Sequence, residues 1–167
     1  MAVVAGLILG VVMFMHAWQL FGFSAPKTTG IVGAAGAILL ALLLALKPLP
    51  LLTPASPTAL SASIVIWAVY AALVAGVGLW GLDPRGLGFY SAYGAAVMIG
   101  QIVYCIIPAF SLAGLICGVV QFIAFAMLFF YLAIPFDVLR EATAWVLVIV
   151  GPIHGILAVL VLMAGLT

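Results

Sequence analysis

Gly78–Ser91 reads GLWGLDPRGLGFYS and sets Asp83 and Arg85 almost side by side. The whole 167-residue chain has four Lys or Arg and three Asp or Glu, so two of its seven formal charges fall in this one stretch. The sequence before it, Ser61–Trp80, and the sequence after it, Leu87–Ile107, carry no formal charge. Charge is costly in hydrocarbon and tolerated at its edge, while Gly and Pro favour turns. The stretch therefore reads as a turn between two membrane-spanning helices, with Asp83 as a helix cap or local partner of Arg85 and Arg85 as a topology signal.

The same pattern recurs on both sides. FGFSAPKTTG (Phe21–Gly30) and IPFDVLREAT (Ile134–Thr143) also follow apolar runs and carry Lys27 and Arg140. Gly22 and Gly81 are 59 residues apart, Lys27 and Arg85 are 58 apart, and Arg85 and Arg140 are 55 apart. That period is the length of one helical hairpin used three times. Three equivalent hairpins pointing the same way predict a pseudo-threefold axis along the membrane normal and a central solute path.

Composition agrees with a membrane fold. The chain is 69% hydrophobic and 4% charged, with mean hydropathy +1.56, whereas soluble domains carry roughly 25% charged residues. Six runs of membrane-crossing length follow, over residues 1–23, 29–46, 61–80, 87–107, 110–134 and 142–166. At about 1.5 Å per residue each can cross a hydrocarbon layer of about 30 Å. The expectation is an all-α integral membrane protein, a single six-helix domain over residues 1–167 with no room for a soluble unit. No Lys or Arg precedes the first run, so it is read as the first helix and not as a secretory signal. Three charged turns face one Lys47 in the loop KPLPLLTPASPT, which places the turns in the cytoplasm and both termini outside.

Polar side chains inside the spans are the candidates for function, because hydrocarbon cannot satisfy them. Helix four carries Tyr90, Tyr93, Gln101 and Tyr104 within an arc of about 80°. Helix three places Ser63, Trp67 and Tyr70 on one face, and helix five does so with Cys117, Gln121 and Phe125. Helix one adds His16 and Gln19, and helix six adds His154. Counting from the turns, Trp67, Gln101, Gln121 and His154 fall at one height, about 20 Å up. A ring of amide, indole and imidazole groups suits a small neutral polar solute, since it replaces hydration without supplying charge. No Asp, Glu, Lys or Arg lies within a span, which argues against ion coupling. Net charge is +1 with no basic cluster, so no nucleic-acid partner is expected. Cys105 and Cys117 are lone thiols without metal spacing, and no nucleophile, metal cluster or carboxylate pair suggests an enzyme or a cofactor. Gly30/Ala34, Gly33/Ala37, Gly114/Gly118 and Gly151/Gly155 have the four-residue spacing that permits close helix contact.

The chain also resembles the AmiS/UreI family of urea and amide channels. The resemblance rests on LFGFSAPKTTGIVGAAGAI after helix one, GLDPRGLGFYSAYGAA after helix three, LICGVVQFIAFAMLFF in helix five and ATAWVLVIVG opening helix six. It implies a prokaryotic inner-membrane protein, three two-helix hairpins around a path within each protomer, a hexameric ring, and passive passage of urea or short amides such as acetamide. It implies service to a cytoplasmic urease or amidase. Departures are clear: helix five has no Trp where the urea channels carry several, and Gly114, Cys117 and Gln121 stand there instead. His16 falls where those channels place an Asn, no acidic residue lies near Val150, and the loop after helix two has no His for acid gating.

The reading is a homo-oligomeric channel, a hexamer in lipid, for urea or a short amide. Its path would be lined by His16, Ser63, Trp67, Tyr70, Tyr93, Gln101, Cys117, Gln121, Phe125 and His154, with Lys27, Asp83, Arg85 and Arg140 in the cytoplasmic turns. The alternatives are an accessory subunit of a larger membrane complex, or a proton-linked transporter using His16 or His154.

Overall fold

The computed structural model describes residues 2–46, 57–106, 112–134 and 136–163. The loop holding Lys47, the junction after helix four and the end of the last span lie outside the described residues. Six helices follow in order: α1 (Ala2–Leu20), α2 (Pro26–Ala45), α3 (Pro57–Trp80), α4 (Pro84–Ile106), α5 (Leu112–Leu128) and α6 (Arg140–Met163). Helices with 18 or more described residues and sufficient hydropathy to cross a membrane number 5, and α1 is a further apolar helix of 19 residues. The chain is thus a multi-pass helical membrane protein, with no strand among the described residues.

Proline sets three helix starts. Pro26, Pro57 and Pro84 open α2, α3 and α4, where a missing N–H is harmless and the fixed φ suits the first turn. This moves the starts of α3 and α4 ahead of the expected Ser61 and Leu87, because hydropathy alone does not see a polar first turn. At the α4 start the Arg85 backbone N–H donates to Asp83 Oδ1 at 2.9 Å, an N-cap that satisfies one orphan donor. Gly22 (φ 86°) and Gly81 (φ 67°) end the preceding helices in the left-handed region, which only glycine enters without strain. The third repeat has no glycine there. Instead α5 widens into a π-helical turn, Phe129–Ala133, and a 3₁₀ turn, Asp137–Leu139, leads into α6.

The closest-packed pairs are α1 with α6, α2 with α3, and α4 with α5, while the turn-linked pairs share smaller interfaces. Every odd helix therefore leans on the even helix of the neighbouring repeat, a pattern that obeys the threefold repeat in the sequence. Glycine makes each approach possible. A Cβ on Gly10 would lie 2.5 Å from the Gly151 carbonyl oxygen, and one on Gly33 would lie 2.8 Å from the Ala71 carbonyl oxygen. On the third pair, a Cβ on Gly88 would meet the Ala133 backbone nitrogen at 2.5 Å. Without a hydrophobic force between helices in lipid, such contact is how helices hold together.

The three turns lie at one end of the bundle. Arg140 Nε, at the head of α6, donates to the Leu20 carbonyl at the end of α1 over 2.7 Å. Beside them Trp18, Phe21 and Phe23 stack, and Phe21 meets Trp145 edge-on at 5.1 Å. Aromatic rings with basic residues at a helix end are the pattern of a membrane interface. The outer faces, among them Ile31, Ile38, Ile99, Ile149 and Ile156, are exposed and apolar.

Candidate functional site

Down the middle of the bundle, buried and half-buried polar side chains form three tiers, spaced one turn apart along α3. Farthest from the charged turns, Ser63 Oγ donates to Gln101 Oε1 at 2.7 Å, joining α3 to α4. The middle tier joins α3, α5 and α6. Trp67 Nε1–H donates to Gln121 Oε1 at 2.9 Å, Gln121 Nε2 meets His154 Nε2 at 2.7 Å, and His154 Nδ1 meets the Val150 carbonyl at 2.8 Å. Nearest the turns, His16 Nδ1 and the Tyr70 hydroxyl share a hydrogen bond of 2.8 Å, and Phe125 abuts the Tyr70 ring edge-on at 5.7 Å. This tier joins α1, α3 and α5.

Donor and acceptor inventory assigns the protons of the middle tier. The Val150 carbonyl can only accept, so His154 Nδ1 carries the hydrogen. The indole N–H can only donate, so Gln121 turns its oxygen to Trp67 and its NH₂ to His154. His154 Nε2 must then accept, which makes the imidazole neutral in its Nδ1–H tautomer. A proton on Nε2 would face the Gln121 NH₂, and turning the amide around would set that NH₂ against the indole N–H. The chain of bonds therefore has one consistent state, without net charge. Gln121 still holds one N–H and one oxygen lone pair beyond these two bonds.

The tier is sealed. Gln121 is 0% exposed and Trp67 and His154 are 5% and 2% exposed, and Tyr70 and Phe125 in the next tier toward the turns are each 0% exposed. The Trp67 and His154 rings stand at 85° with centroids 6.2 Å apart, so they wall the carboxamide on two sides. Among the described residues no buried side-chain N or O lacks a partner, and no group of His, Cys, Asp or Glu is placed to hold a metal ion. The arrangement offers hydrogen-bond donors and acceptors without a nucleophile or a fixed charge.

The structure joins Trp67, Gln121 and His154, but Gln101 sits a turn away with Ser63. Cys117, one turn above Gln121, is half-buried. The helix-four stripe divides: Tyr90 donates inward to the Ile66 carbonyl at 2.7 Å, whereas Tyr93 is 61% exposed on the outer face. Tyr93 thus departs from the expected position, because an 80° arc is wide enough for one edge to turn outward on a helix packed on both flanks. Lys27, Asp83, Arg85 and Arg140 are exposed at the turns.

Two features escaped the sequence reading. The Val150 carbonyl, which orients His154, has no side-chain signature. At the turn end a cavity of about 540 Å³ opens between Gln19, Leu20, Ser24, Pro26, Tyr131 and Arg140. Its signal was Gln19, a polar side chain just ahead of a charged turn.

Neither family models nor curated proteins give a match to the chain. Among solved structures the chain is similar to the crystal structure of the urea channel from the human gastric pathogen Helicobacter pylori, with a TM-score of 0.80 and 17% identity over 99% of each chain. At that identity the likeness establishes a shared fold.

Proposed function

We propose that this protein is a passive channel for a small neutral polar solute, urea or a short-chain amide such as acetamide, in a prokaryotic inner membrane. The observation that carries this reading is the uncharged Trp67–Gln121–His154 tier at the centre of a bundle sharing the fold of a urea channel. An ion entering there would lose its hydration to groups that offer no countercharge, whereas a neutral amide exchanges water for amide, indole and imidazole partners. Trp67 and Phe125 supply flat apolar walls that favour planar solutes. His16, Tyr70, Ser63, Gln101 and Cys117 complete the path above and below, and the cavity beside Arg140 serves as its cytoplasmic mouth. The protomers assemble as a hexamer with both termini outside.

Stopped-flow light scattering on proteoliposomes under an inward acetamide or urea gradient tests this. Re-swelling faster than in protein-free vesicles is expected. Swelling no faster than the control for either solute, from a folded oligomer, would overturn the reading and leave an accessory membrane subunit in its place.

A further inference from the structure

The group that fills the middle tier is itself a primary carboxamide. Gln121 ends in –CO–NH₂, the functional group of acetamide, and its two atoms bridge an N–H donor, Trp67 Nε1, and a lone-pair acceptor, His154 Nε2. One planar group thus makes two hydrogen bonds, of 2.9 and 2.7 Å, to two rings set at 85°. His154 is held as an acceptor from behind by the Val150 carbonyl, so the pair keeps its donor-plus-acceptor character without Gln121.

We propose that Trp67 and His154 form a binding site for the primary carboxamide group, that the Gln121 side chain occupies it as a tethered surrogate, and that a permeating amide passes by displacing it. This rests on the channel reading and names the chemistry that selects the solute. Urea and primary amides present a carbonyl oxygen and an NH₂ group bonded to one carbon, as Gln121 does. An N,N-dialkyl amide keeps the oxygen but leaves His154 without a donor, and a carboxylate would set an oxygen lone pair against the His154 lone pair. Leaving one buried group unpartnered disfavours such solutes by about tenfold or more. The exchange breaks no covalent bond and moves no proton, because solute and side chain make the same two bonds. The shut tier is then the resting state of the site, with Gln121 in the place of the solute.

The site is tested by chemical rescue in the detergent-solubilised, intact oligomer. Gln121→Ala removes the surrogate and leaves Trp67 Nε1–H and His154 Nε2 unpartnered in a small cavity. Thermal melting of wild type and variant is followed with acetamide or N,N-dimethylacetamide at equal concentration. Acetamide is expected to raise the variant's Tm by about 2 °C or more with a smaller rise in wild type, where the solute must compete with the tethered Gln121 side chain. N,N-dimethylacetamide should give no such rise. Equal responses to both amides, or equal responses of both proteins, overturn the proposal. If Gln121→Ala fails to assemble, Trp67→Phe provides the second measurement: in proteoliposomes it should lower the acetamide flux relative to the glycerol flux, and an unchanged ratio overturns the proposal. Wild-type flux with no rescue would sink the surrogate site and keep the channel. Rescue without flux in any vesicle would keep the amide site and sink the channel.

Discussion

Tyr70 and Gln121 show what a single polar atom does in a buried apolar bundle. Tyr70→Phe keeps the ring against Phe125 and removes only the hydroxyl, so His16 Nδ1 loses its partner. An unpartnered buried group costs about 1–3 kcal/mol, and thermal melting in detergent should show the loss with the fold retained. Gln121→Leu keeps the volume but removes both bonds of the carboxamide, leaving an apolar plug between Trp67 and His154. Amide flux should fall about tenfold or more, while size-exclusion elution stays that of wild type; unchanged flux would remove Gln121 from the path. At this scale the sequence was legible as a set and less so in its pairings. Polar residues inside charge-free spans announced themselves, and three of the four assigned to one height meet there. Gln101 does not, because counting at 1.5 Å per residue along straight helices cannot separate neighbouring turns once helices tilt. Tyr93 failed for a related reason, since the direction of a face depends on which helices flank it.

At the scale of elements, the helices are held by backbone approach at glycine and by the ends that punctuate them. Gly151→Val would set a side chain 2.7 Å from the Gly10 carbonyl oxygen and 3.1 Å from Phe14 Cβ, and neither backbone nor a helix-borne Cβ can yield cheaply. We expect α1 to be pushed off α6, with a loss of about 1–3 kcal/mol from overpacking and reduced recovery of the folded protein in mild detergent. Normal recovery and melting would show that α1 and α6 do not rely on this contact. Asp83→Ala should cost about 0.5–2 kcal/mol through loss of the cap on α4, read as a lower Tm with flux preserved. The helical fold and its number of spans were readable because apolar runs ended by Pro, Gly and charge leave few alternatives. The π-helical end of α5 was not readable. Its residues Leu132 and Ala133 pack against Gly88 on α4, a contact between residues more than 40 positions apart that has no local sequence signal.

At the scale of the whole molecule, the buried tiers hold no carboxylate, Lys or Arg, and the middle tier has one consistent proton arrangement with His154 neutral. Acetamide or urea flux through proteoliposomes should therefore be flat between about pH 6 and pH 8, the window in which an unpartnered histidine would gain or lose its proton. A flux that tracks the proton gradient would instead support a transporter working through His16 or His154. The sequence by itself determined the solvent of this protein, because so few charges gathered into turns leave no other place for the chain than a bilayer. It also determined the threefold repeat, since equivalent turns demand equivalent spacing along one chain. Which helices embrace was decided by the tertiary structure: the turns join α1 to α2, α3 to α4 and α5 to α6, yet the closest contacts run between repeats. Covalent linkage brings helix ends together, whereas packing is set by where backbones approach at glycine, and that depends on both partners at once. The same holds for the site, where Trp67, Gln121 and His154 each gain meaning only from the hydrogen bonds the other two leave open.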